Sequence, residues 1–238
     1  MQTGEELRFA DEMDAETCCS AKDSNDRSPI ENMLASGLMT QEQMIASCGK
    51  WKTDEITTLL ARKTTDQSSW PAVTDVDKLE RAFEILSRQG IIDLWGIHGD
   101  SDEEGYWDPQ HHADQYRRCI GGDASGTSAA VFYTWDDLLS AIENDELTLQ
   151  IRGFEVGDAW TRELTSASAR MSLQEALEEV GLAGYWSAAY PDVVRVRLKW
   201  QRRHPKRPVE SWADRQMPQF SKAMKKSIRM IGYRPYGE

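Results

Sequence analysis

Residues 129–154 read AAVFYTWDDLLSAIENDELTLQIRGF. Ala129 to Tyr133 is a short apolar run, as expected of a buried strand. Thr134 stands where a helix cap is needed, and Leu138, Leu139 and Ile142 then recur on one helical face. Leu147, Leu149 and Ile151 alternate with Thr148 and Gln150, the period-two pattern of a half-buried strand. Strand, helix and strand follow within one short segment. The fold must therefore pack helices on a sheet.

Working outward, the same two periods recur. Val76, Leu79, Phe83 and Leu86 form a helical stripe behind a T-x-x-D start at Thr74 and Asp77, and Gly90 ends it. Residues 91–97 read as a strand. Ser172 and Glu175 suggest a capping box for a helix with Leu173, Ala176, Leu177 and Val180 inward, stopped by Gly181. Val194, Val196, Leu198 and Trp200 alternate with Arg195, Arg197 and Lys199, giving a strand with one apolar and one cationic face. Upstream, Pro29 opens a helix over Ile30, Met33 and Leu34 that Gly37 closes. Thr40 and Gln43 box the next one. Thr53 is expected to cap a third, with Ile56, Leu59 and Leu60 as its stripe. The expected class is α+β, with a mostly antiparallel small sheet packed with helices. A helical N-terminal unit precedes it, and a basic amphipathic C-terminal helix follows. The expected divisions are an acidic arm over 1–28, the helical unit over 29–67, the α+β domain over 68–203 and the basic extension over 204–238. In that extension Phe220, Met224, Ile228 and Ile231 share a helical face.

Three blocks resemble a family. They are SSWPAVTDVDKLERAFEILSRQGI (68–91), AAVFYTWDDLLSAIENDELTLQIRGF (129–154) and GLAGYWSAAYPDVVRVRLKWQRR (181–203). Their W-P-x-V-T-D-x-D-x-L, F-Y-x-x-x-D and terminal W-x-R-R patterns resemble an uncharacterised bacterial domain-of-unknown-function family over about residues 30–203. The resemblance implies a fold and no activity. It also implies a Cys-rich stretch after the strand that follows Gly90. Here that stretch is LWGIHGDSDEEGYWD (94–108), without Cys, which argues against a thiol-based role.

Charge separates along the chain. Residues 195–238 hold 13 Lys and Arg against Glu210, Asp214 and Glu238, while residues 1–194 hold 37 acids against 15 basic residues. The body is near −22 and the tail near +10. An acidic body disfavours nucleic acid and favours basic protein surfaces. No apolar run approaches the roughly 18–20 residues of a membrane span. The start lacks a basic and apolar leader. The four Cys form no CxxC pair, so thiols in a reducing, cytoplasmic setting are expected.

The candidate site is the acidic loop after residue 97. Asp100, Asp102, Glu103, Glu104 and Asp108 surround Tyr106 and Trp107, an aromatic pair suited to anchoring a basic partner. His98, Asp100 and His111 are the alternative, as ligands or acid/base groups of a metal-assisted hydrolase. Their spacing matches neither HExxH nor an EF-hand loop. Cys119 with His111 or His112 lacks an orienting third group, and GGDASG (121–126) lacks the ending of a phosphate loop. The leading expectation is a non-catalytic, cofactor-free binding protein. It would act like immunity proteins that neutralise a bacterial toxin by occluding its basic active-site surface. An adaptor assembling through the basic tail is a further alternative.

Overall fold

Four helices open with a polar side chain that answers the otherwise unpaired first-turn amides. In a computed structural model, which describes residues 27–97, 101–102, 105–106, 127–154, 159–187 and 190–206, Ser28, Thr40, Thr74 and Thr134 each form a reciprocal capping box. Their partners are Glu31, Gln43, Asp77 and Asp137. These boxes start α1 (Pro29–Ser36), α2 (Gln41–Cys48), α4 (Asp75–Arg88) and α5 (Trp135–Asn144). Helix α3 (Thr53–Gln67) starts differently. A 3-10 turn over Lys50–Lys52 runs directly into it, and Thr53 is its first residue. The Thr53 hydroxyl donates back to the Lys50 carbonyl at 2.6 Å instead of capping an amide. Ser172 and Glu175 likewise cap nothing. They lie inside α6 (Ala159–Glu179), whose backbone is already helical well upstream. A Ser and a Glu three apart fit an exposed helix face as well as a cap.

Five strands make one sheet in the order β1 (Ile91–Ile97), β4 (Ala129–Thr134), β5 (Glu146–Gly153), β7 (Tyr190–Arg197), β6 (Gly184–Ser187). Only β1 and β4 are parallel; every other pairing in this sheet is antiparallel. A separate two-stranded ribbon pairs β2 (Ser101–Asp102) with β3 (Gly105–Tyr106). The fold is α+β, as the alternating periods predict.

The period-two pattern of β5 appears as strict alternation, with Leu147, Leu149 and Ile151 at 2% exposure or less. Register places them beside Val194 and Val196 of β7 and Val131 of β4. Helices α4 and α6 close this face with Leu79, Phe83, Leu86, Leu173 and Leu177. Burying five such side chains contributes on the order of 10 kcal/mol before entropy is counted. The opposite face changes along the sheet. Ile92, Ala130 and Phe132 are fully buried, whereas Arg195 and Arg197 are exposed. The helices α1–α3 have their own core of Ile30, Leu34, Met44, Ile56 and Leu60. Half-buried Trp135 packs against both cores.

Candidate functional site

The polar residues of the family-like blocks converge on the C-terminal end of α1. A helix ends with carbonyls that lack intrahelical partners and carry the negative end of its dipole. Here they accept three donors from distant sequence. Lys63 Nζ donates to the Leu34 carbonyl. Trp200 Nε1 donates to Ser36 at 3.1 Å, and Arg202 Nε donates to Gly37 at 3.1 Å. Gly37 sits at φ +65°, and a Cβ there would stand 2.9 Å from the Arg202 Cβ and carbonyl oxygen. The other end of the Arg202 guanidinium pairs with Glu80 at 2.6 Å. Arg203 reaches Asp77 at 2.9 Å and donates to the Pro71 carbonyl at 2.6 Å. The Lys199 amide donates to Asp75 at 3.1 Å. Trp200 also meets the Tyr133 ring edge-on, with centroids 6.0 Å apart. The W-x-R-R block thus locks onto the T-D-x-D block and onto α1.

Asp137, the acid of the F-Y-x-x-x-D block, is spent in the same way. It accepts from the Thr134 amide at 2.9 Å and from the Gln150 side chain at 3.3 Å, tying α5 to β5.

Electrostatics mark one group in this lock. Burial pushes the Lys63 ammonium down to about 7, and the Arg202 charge adds to the effect. His204, half-buried beside it, is also pushed below its ordinary value, first by burial and then by Lys63, against the opposing pull of Glu42. The Glu42 carboxyl lies lower than usual because its own backbone amide and the Thr40 hydroxyl hydrogen-bond to it. Burial would raise Asp75, but the bonds from Lys78 and the Lys199 amide outweigh it and hold the carboxyl low. A buried lysine near neutrality is a titrating amine, and such groups cluster at functional sites. Its Nζ, however, is committed to a backbone carbonyl.

Of the acidic-loop residues, Asp102 and Tyr106 fall in the β2–β3 ribbon, where Asp102 pairs with Gly105 and Ser101 with Tyr106. Their side chains, and Asp100, Glu103, Glu104, Trp107 and Asp108 entirely, lie outside the described residues. So do His98, His111, His112 and Cys119. Among the described residues no three of His, Cys, Asp and Glu are grouped to hold a metal ion. No described helix is long and apolar enough to cross a membrane.

The model of the family described as a domain of unknown function (DUF6891) matches residues 22–204. The chain belongs to DUF6891. No curated protein and no solved structure matches it significantly. The match ends beside Arg203, where the DUF6891 lock ends too.

Besides the lock, this DUF6891 chain carries a shallow cleft of about 450 Å³ where α4, α5 and β7 meet. Asp75, Asp145 and Glu146 line it together with Arg197 and Lys199. On the neighbouring open face, Arg197 lies 5.7 Å over the Tyr185 ring. Sequence reading missed Lys63 and its neighbours. The available signal was position: Lys63 continues the Ile56–Leu60 stripe at the next helical step, where an apolar residue is expected.

Proposed function

We propose that this DUF6891 protein is a non-catalytic acidic binding protein of the immunity type. It neutralises a bacterial toxin by covering that toxin's basic active-site surface. The observation that carries the reading is the division of labour among its polar groups. The acids and arginines of the family-like blocks, Asp75, Asp77, Asp137, Arg202 and Arg203, are engaged in intramolecular bonds that hold helices and strands together. Residues 1–194 as a whole carry 37 acids against 15 basic residues, an excess suited to a basic outside partner. Such a surface steers a basic partner and raises its association rate. The contact residues in this reading are Asp100, Asp102, Glu103, Glu104, Tyr106, Trp107 and Asp108.

The test uses the products of genes adjacent to this one. Co-expression is expected to protect cells from one of those products and to yield a stable complex whose association slows with salt. Reversing the charge at Asp102, Glu103 and Glu104 together is expected to slow association by about tenfold or more. If no adjacent product is bound or neutralised, the reading fails. If a complex forms at an unchanged rate after charge reversal, the loop is not the contact.

A further inference from the structure

Strand β6 is a terminal strand of the sheet, paired on one side to β7. Among the described residues no strand pairs with its other side, which offers a row of backbone donors and acceptors, the arrangement to which another extended chain adds by main-chain bonding. Natural edges are usually guarded by Lys, Pro, a bulge or a covering element. The four residues of β6, Gly184-Tyr-Trp-Ser, contain neither charge nor proline, and the register against β7 shifts only after Trp186, which leaves Gly184 to Trp186 as the regular edge. Tyr185 is 52% exposed.

Charge gathers on both faces of this strand. On the open face Arg197, rooted on β7, extends across to the Tyr185 ring with its guanidinium carbon 5.7 Å from the centroid. Arg195 is the direct cross-strand neighbour of Tyr185 and already pairs with Glu146 at 3.6 Å, so Arg197 is the principal cation on this face. On the helix face Arg170, from α6, stands 5.9 Å from the Trp186 ring. An arginine over each aromatic places positive charge beside the edge, above and below. This is a cationic spot on a body whose overall charge is strongly negative.

We propose that β6 is a docking edge for an extended acidic segment of a partner protein, which adds as a sixth strand. Alternate side chains of such a segment point to opposite faces. Carboxylates at alternate positions would therefore meet Arg197 and Arg195 on the open face, while the apolar side chains between them would lie beside Trp186 on the other. A second copy pairing β6 to β6 would offer these arginines no carboxylate, because β6 itself carries no charge. This surface differs in sign from the acidic loop, and no residue of that loop enters the argument for it.

A labelled peptide of alternating Glu and Val, titrated against the full-length protein by fluorescence anisotropy, tests the proposal. The acidic peptide is expected to bind at least about tenfold more tightly than an alternating Lys–Val peptide, and Arg197→Glu is expected to weaken it by about tenfold. Two N-methylated versions, each blocking one set of alternate amides, separate strand addition from simple charge attraction. Loss of binding in one version and retention in the other supports pairing at the edge. Equal binding of both overturns it, as does equal binding of the Lys–Val peptide. Tighter binding of a single-stranded oligothymidine would make the face a nucleic-acid surface and overturn it. So would concentration-dependent self-association that competes with the peptide. Loss of toxin protection leaves these readouts untouched, because they do not involve the acidic loop.

Discussion

At the residue scale, Lys63 and Gly37 show how a short helix end fixes the surrounding side chains. Between about pH 7 and its ordinary value of 10.5 the folded chain holds fewer protons at Lys63 than the unfolded chain does. Stability therefore rises with pH across that window and loses the benefit as pH falls through 7, with a slope of at most about 1.4 kcal/mol per pH unit. Urea midpoints at pH 7 and pH 9 read this directly. Lys63→Met is expected to flatten the difference, and an unchanged difference would place the titration elsewhere. Gly37→Ala combines a left-handed backbone with a Cβ driven to 2.9 Å from Arg202. A loss of about 1–3 kcal/mol is expected in denaturant unfolding. Neither position is conspicuous in sequence for its role. Gly37 reads as a helix stop, which it is, but the arginine packed against it comes from residue 202.

At the element scale, local chemistry was legible and distant chemistry was not. The boxes at Thr40 and Thr74 depend on partners three residues away, so they can be seen in the string itself. The alternation of β5 and β7 depends on one buried face, and it too is visible. The extra N-terminal length of α6 carries no clean stripe in its first turns. The sequence pattern therefore points to a start at a Ser–Glu pair that lies inside the helix. The 3-10 turn before α3 displaced the Thr53 cap for a similar reason, since the preceding turn already supplied the entry. The lock at α1 is an interaction between elements. Trp200→Phe keeps most of the apolar bulk, including the contact with Tyr133, but removes the donor to the Ser36 carbonyl. It is expected to cost about 1–3 kcal/mol, because that acceptor is left buried and unmet. Faster amide exchange over α1 relative to β5 would locate the loss. Thr74→Ala removes one cap and is expected to cost about 0.5–2 kcal/mol in thermal or denaturant unfolding.

At the scale of the whole molecule, charge is the feature that sequence shows best and folding changes most. The basic residues after 194 look like one block in the string. In the structure Arg195 and Arg197 are exposed on β7, whereas Arg202 is 9% exposed and bonded internally. Among the described residues, the basic block is thus divided between an exposed strand face and an internal lock. For an acidic ligand of a basic toxin, association is expected to slow several-fold between about 50 and 200 mM salt, with dissociation less affected. Stopped-flow mixing with the cognate partner measures both. The acidic loop itself was found from composition alone.

The lock also dictates when the fold can be finished. Trp200 and Ser36 are 164 residues apart in sequence, and Arg202 and Gly37 are 165 apart. Helices α1–α3 and their small core can assemble early in synthesis. Lys63 can meet the Leu34 carbonyl early, but the Ser36 and Gly37 carbonyls must wait for nearly the whole DUF6891 region to be made. Contacts of such long separation form late and slow folding. During translation α1 is therefore held only by its neighbours, and a chain cut short before Trp200 never receives the closing donors. Closure of the lock requires residues 200–203, and copies terminated before them are expected to be cleared by proteases faster than copies that contain them.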